Sequence, residues 1–270
     1  MQQVHTGIWL EEPEADNAFA TRAAHCHGYD VYGDMLGQAR WVDMLYLLFR
    51  GEAPSPAAAA MLESLALALM NAGPRDPAVH AAMCAGTGGS TAAASLMAAL
   101  AVGAGQYTGA REVFEAMRLW VDSGTDLAAW KSRLGVASND VAAIWPQAEH
   151  PPGFDPHGRS TPLPVKQTLS CLARLGGGPL LAWLEAHRRA LEDAAGLPLA
   201  MSGVAAAAFC ELGFTPEQGE MLHLLLRLPG AAAHALEQRA IGHKRFPFFA
   251  LDLQDDPGPS DTMPTRPELA

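Results

Sequence analysis

Arg227, His234, Glu237 and Gln238 interrupt an otherwise apolar stretch, Arg227-Leu-Pro-Gly-Ala-Ala-Ala-His234-Ala-Leu-Glu237-Gln238. A guanidinium is a permanent positive charge with a planar fork of donors, a geometry suited to a carboxylate. A histidine seven positions further on lies within about 20° of it on one face of a continuous helix. The two residues could address one acidic ligand. A plainer arrangement uses the same residues: Arg227 pairs with a buried acid such as Glu211 or Glu237, and His234 is a satisfied core histidine. His157 sits on a Pro/Gly-rich turn, where it is either a loop histidine or a group facing a ligand.

Metal chemistry finds little support. His25, His27 and His80 have no carboxylate or cysteine at a supporting helical spacing, so no metal is expected. The four cysteines, Cys26, Cys84, Cys171 and Cys210, are far apart and read as buried thiols of a reducing compartment. Gly86-Thr-Gly-Gly-Ser-Thr91 precedes a helix, where backbone N–H groups bind anions. It lacks the lysine and the preceding strand of a phosphate loop, and reads as a turn.

The elements that position these residues are helical. Apolar residues recur at helical spacing from Asp34 to the stop at Gly51-Pro54, and again from Ser55 to Gly73-Pro74. Further helices are expected at 77–85, 90–104, 110–122, 126–134, 138–144, 162–175, 179–194, 202–212, 216–227 and 230–241. Residues 1–28 read as irregular with one short strand. Ala and Leu dominate and β-branched residues are sparse, which makes the class all-α. The Ala-rich run 91–104 reads as a buried helix, too short to span a membrane. The segment 252–270, rich in Asp and Pro, reads as a disordered tail.

A net charge of −11, without clustered basic residues, disfavours a nucleic-acid surface. The acidic start, with Glu11, Glu12 and Glu14, is unlike a signal peptide, so a cytoplasmic, non-membrane protein is expected.

Four segments resemble the citrate synthase and citryl-CoA lyase family, in the family's order. His27-Gly-Tyr-Asp30, with the run from Trp41 to Gly51-Glu-Ala-Pro54, is similar to R-G-Y-D and F-x-E-x-x-Y-L-L-x-x-G-E-L-P. Gly105-Gln-Tyr-Thr-Gly-Ala110 resembles G-P-L-H-G-G-A, and Pro152-Gly-Phe-Asp-Pro-His157 resembles P-G-F-G-H-P. Met201 to Gly213 resembles N-V-D-G-A-L-A-A-L-L-L-D-L-G and leads into the Arg227 segment, which is similar to R-x-P-G-x-x-A-H-x-x-E-Q.

The resemblance implies a citrate synthase-like all-α fold with a large helical domain (1–111 and 216–251), a small helical domain (112–215) and a cleft between them. It implies carbon–carbon bond formation or cleavage between an acyl-CoA and a keto or tricarboxylic acid, with a coenzyme A thioester as substrate and no covalent cofactor. Arg227, His234 and Arg245 are then the contacts to the acid, His157 polarises the carbonyl and Asp155 moves the proton. Two of the family's catalytic positions are changed: Thr108 stands where a histidine is expected and Ser202 where an aspartate is expected. A free hydroxyl stays protonated at neutral pH and is no general base; both residues also suit helix starts. The resemblance therefore leaves two expectations. One is an enzyme with an altered site; the other is a non-catalytic homologue, a metabolite sensor or partner subunit. Either is expected as a homodimer or as a heteromer with a family homologue.

Overall fold

The computed structural model describes residues 4–134 and 149–245. The expected helix at 138–144 and the tail at 252–270 lie outside the described residues.

Among the described residues, ten α-helices follow a small sheet, and their ends are written in turn chemistry. α1 (Trp41–Arg50) begins where the Asp43 carboxylate takes the Arg40 N–H, and ends at Gly51 in the left-handed region with φ 74°. α2 (Pro56–Leu69) is capped by the Ser55 hydroxyl and carries a proline in its first turn. α3 (Pro77–Thr87) is capped by Asp76 and α4 (Ala92–Gly103) by Thr91. α5 (Ala110–Ser123), α6 (Leu127–Leu134), α7 (Leu163–Leu175), α8 (Leu180–Ala195) and α9 (Met201–Glu211) follow. Thr215 and Gln218 form a reciprocal capping box that opens α10 (Pro216–Ile241), and a 3₁₀ turn, His243–Arg245, follows it.

Five local expectations are corrected. The N-terminal segment holds three antiparallel strands in the order β1-β2-β3 rather than one: β1 (Trp9–Pro13), β2 (Thr21–Cys26) and β3 (Tyr29–Asp30). β1 is largely exposed, so it shows no clean alternation of apolar and polar residues. The helix expected from Asp34 begins at Trp41, because a π-helical turn, Val31–Met35, and Gly37 at φ 83° intervene. The segments 216–227 and 230–241 are one helix, with Pro229 inside it. α4 buries only one face, and Met97 and Val102 point to solvent. Cys84 is exposed, Cys171 and Cys210 are half-buried, and Cys26 is buried; all four are free thiols.

Two apolar clusters organise the helices. The larger draws Leu62 and Leu65 of α2, Met117 of α5, Leu172 of α7, Leu184 of α8, Phe209 of α9 and Leu222 of α10 around the wholly buried run Val204–Phe209. α1 and α2 thus share their core with α5 to α9. The smaller joins Val79 and Ala82 of α3, Ala99 of α4, and Ala231 and Ala235 of α10. Trp120, Trp130 and Trp183 pack edge-on or tilted, with centroid distances of 4.8 to 6.3 Å, where α5, α6 and α8 meet.

Two glycine contacts set the walls of the central cleft. A Cβ on Gly203 would lie 2.4 Å from the Gly153 carbonyl oxygen, so only glycine lets the 151–158 loop rest on the start of α9. A Cβ on Gly230 would lie 2.5 Å from the Met70 carbonyl oxygen, where α10 crosses the end of α2.

Candidate functional site

A cavity of about 570 Å³ opens between the end of α2, the starts of α3, α5, α7 and α9, the 154–156 loop and the middle of α10. Its polar lining is Asn71, Asp76, Thr108, Glu112, Asp155, Ser202, His223 and Arg227. Thr108, Ser202, Asp155 and Arg227, named from widely separated segments, thus share one cavity. His157, His234 and Arg245 are not in its lining.

Glu112 is the buried anchor, 4% exposed in the first turn of α5. Its Oε1 accepts from the Ser202 hydroxyl at 2.7 Å and from the Gly153 N–H at 3.0 Å, and its Oε2 accepts from the Thr108 N–H at 2.8 Å. All three bonds run into the carboxyl group, the pattern of an acceptor-only carboxylate. A single side chain thereby fixes three cavity segments: the Thr108 turn, the Gly153 loop and the start of α9.

These bonds replace the helix-start roles expected of Thr108 and Ser202. Gly109 occupies the cap position of α5 and Ala200 that of α9, and neither Thr108 nor Ser202 supplies a side-chain cap. Thr108 instead adopts φ 58°. The left-handed region costs a non-glycine residue about 1–2 kcal/mol and is unusual for a β-branched one. Glu112 holds the N–H of this residue, and Arg227 Nη1 donates to its carbonyl oxygen at 3.2 Å.

Arg227 makes an ion pair, with neither Glu211 nor Glu237. Its Nη2 is joined to Asp76 Oδ2, and both side chains are largely shielded, at 13% and 11% exposure. Asp76 uses its other oxygen to cap α3, accepting from Ala78 N–H at 3.0 Å and Val79 N–H at 3.2 Å. Glu211 is engaged elsewhere, accepting the N–H groups of Gly178 and Leu181 at the start of α8, and Glu237 faces His234.

His223 lies one turn before Arg227, 4% exposed, with Nε2 3.3 Å from Arg227 Nη1. Burial, followed by the neighbouring Arg227 charge, drives its pKa down to about 3. The ring is therefore neutral at neutral pH. An arginine only donates, so Nε2 is the acceptor and Nδ1 carries the proton. That Nδ1 is buried without a hydrogen-bond partner among the described residues.

Asp155 also lines the cavity, half-buried, with Oδ1 accepting the His157 N–H at 2.9 Å. The His157 side chain is exposed. His234 Nε2 lies 3.2 Å from Asn71 Oδ1, so this histidine reaches the cavity through the Asn71 side chain. Arg245 is exposed in the 3₁₀ turn beyond α10.

Asp76, Glu112 and His223 were not singled out from the sequence. His223 was accessible to the argument used for Arg227, since a spacing of four residues places both on one helical face. Asp76 before Pro77 carries the signature of a helix cap, which says nothing about its second oxygen. Glu112 resembles any first-turn acid. Among the described residues, no group of three or more His, Cys, Asp or Glu could hold a metal ion, and no helix is long and apolar enough to cross a membrane.

The fold of this chain, largely helical with a polar cleft, is similar to that of solved citryl-CoA lyase and ATP citrate lyase structures. Citryl-CoA lyase from Hydrogenobacter thermophilus superposes with a TM-score of 0.70 at 20% identity, over 98% of this chain and 97% of that one. ATP citrate lyase from Methanothrix soehngenii, solved with citrate and coenzyme A, gives 0.70 at 16% identity. ATP citrate lyase from Methanosaeta concilii, solved with (3S)-citryl-CoA, gives 0.68 at 16% identity. This chain corresponds to 42% of each of those two longer chains. No family model and no curated protein sequence matches it. At these identities the likeness is one of fold.

Proposed function

We propose that the chain acts on an acyl-CoA and a keto or tricarboxylic acid by carbon–carbon bond formation or cleavage, with a catalytic set altered from that of its structural relatives. The observation that carries this reading is the cavity itself, whose lining includes both Arg227 and Asp155. Its lining draws on both sides of the proposed division at 112 and 215, with Asn71, Asp76, Thr108, His223 and Arg227 from one side and Glu112, Asp155 and Ser202 from the other.

In the cleavage direction a base takes the proton of the tertiary hydroxyl, the carbon–carbon bond breaks, and the electron pair passes into the thioester enolate, which is then protonated. Synthesis is the reverse, with the base acting on the acyl-CoA α-carbon. Asp155 is the group proposed for the proton, because Glu112 is already committed to three donors. Arg227 holds the acid. His234 acts by orienting Asn71. His157 and Arg245 join this reading only if closure of the cleft or a second subunit brings them to the ligand.

The test is formation of acetyl-CoA and oxaloacetate from citryl-CoA, or of citryl-CoA from acetyl-CoA with oxaloacetate. Turnover that falls at least about a hundredfold in Asp155→Asn supports the reading. Undiminished turnover in that variant removes Asp155, and no turnover with any pair removes the enzyme.

One observation favours a second reading, a non-catalytic homologue that binds a metabolite or pairs with an active subunit. Thr108 and Ser202 have structural duties at the two changed positions, one in a left-handed turn and one on Glu112. Saturable binding of an acid or acyl-CoA without turnover supports it. In both readings the chain self-associates or joins a homologue through α4 and α10, which pack together and present Met97, Val102, Met221 and Leu225 to solvent.

A further inference from the structure

We infer that Asp76 is a built-in competitor for the acid: its carboxylate occupies the guanidinium that the ligand needs, and so sets which acids the cleft accepts. The inference rests on the proposal that Arg227 holds the ligand's carboxylate.

Three contacts engage Arg227. Nη2 is paired with Asp76, Nη1 donates to the Thr108 carbonyl, and His223 Nε2 lies against Nη1. The neutral His223 adds no positive charge. The cavity therefore offers one guanidinium against three carboxyl side chains, Asp76, Glu112 and Asp155. Glu112 is engaged by three donors and Asp155 accepts the His157 N–H, whereas Asp76 is paired with the cation. An incoming carboxylate meets a charge already neutralised, and must either displace Asp76 or bind beside it against repulsion.

Displacement is feasible because the two oxygens of Asp76 do separate work. Oδ1 caps α3 through Ala78 and Val79, while Oδ2 faces Arg227. The cap survives when the ion pair opens. The consequence is a penalty graded by charge: acids bearing two or three carboxylates face the remaining carboxyl groups as well as Asp76, and Asp76 weakens their binding more than that of singly charged acids.

The separation of roles also supplies the test. Asparagine is as good a helix cap as aspartate and carries no charge, so Asp76→Asn removes the competitor and keeps α3. Titration calorimetry at low ionic strength compares citrate, oxaloacetate and pyruvate on the wild type, Asp76→Asn, Arg227→Ala and the double variant, with folding checked by circular dichroism. Citrate affinity is expected to rise on the order of tenfold in Asp76→Asn, with a smaller gain for pyruvate, and to show no gain in the double variant. Unchanged or weaker citrate binding in a folded Asp76→Asn protein overturns the inference, as does a gain that persists without Arg227 or an absence of acid binding in both proteins. Asp76→Ser, which also keeps a capping oxygen, takes the place of Asp76→Asn if that variant does not fold. A citrate gain in a protein without turnover leaves the inference standing and removes the enzymatic reading; turnover without the gain does the opposite.

Discussion

At the scale of single residues the cleft is built on two unusual groups, a buried carboxylate holding three donors and a histidine kept neutral. Replacing Glu112 with Gln puts an amide nitrogen where a donor now points, leaving at least one buried N–H or hydroxyl without an acceptor. The expected loss is about 1–3 kcal/mol in urea unfolding, and more than for Ser202→Ala, which removes one neutral donor. His223 makes stability depend on pH with a definite sign. Its folded pKa, near 3, is below the unfolded value of about 6.5, so the unfolded chain gains the proton first. Its contribution is fully present above pH 6.5 and is lost as pH falls towards 3, by about 1.4 kcal/mol per unit. His223→Gln, which keeps an acceptor for Arg227 and does not titrate, is expected to remove that slope from the difference between urea curves at pH 4, 5, 6 and 7. Arg227 was legible in the sequence as a charge in an apolar stretch. Its partner was not, because Asp76 lies 151 residues away and helix-capping grammar describes only one of its oxygens.

At the scale of elements, helical periodicity located most of the helices, and glycine and proline located most of their ends. It failed where tertiary contacts replace a local bond. Pro229 lacks an N–H and Gly230 gives its own to the Met70 carbonyl at 2.8 Å, yet α10 runs through both. The Pro-Gly pair that reads as a break is a docking point for the end of α2. Gly230→Ala places a methyl carbon against the Met70 carbonyl and the Asn71 backbone. It is expected to cost about 1–3 kcal/mol in thermal unfolding and to lower ligand affinity, since Asn71 lines the cavity; unchanged stability means that α2 gives way. The sheet was missed for a related reason, because its strands lie mostly on the surface and a half-exposed strand leaves little periodic trace.

At the scale of the whole molecule, weak motifs kept in order along the chain indicated the fold better than any one of them, and that indication agrees with the solved structures. Chemistry was less legible, since the resemblance leads one to expect a histidine where Thr108 stands and an aspartate where Ser202 stands. The exposed apolar residues of α4 and α10 carry a further expectation: sedimentation equilibrium gives at least twice the chain mass, and Met97→Glu with Leu225→Glu lowers it to the monomer. A monomeric wild type at micromolar concentration removes that surface as an interface. The indole cluster of Trp120, Trp130 and Trp183 gives the protein an optical handle of its own. Its rings lie at 72° and 77° across the Trp120 contacts, so their transition dipoles couple and absorb circularly polarised light as a paired band of opposite signs. Any event that shifts α5 against α6 or α8 rewrites that band, and the timing of such an event can be followed in the unlabelled protein.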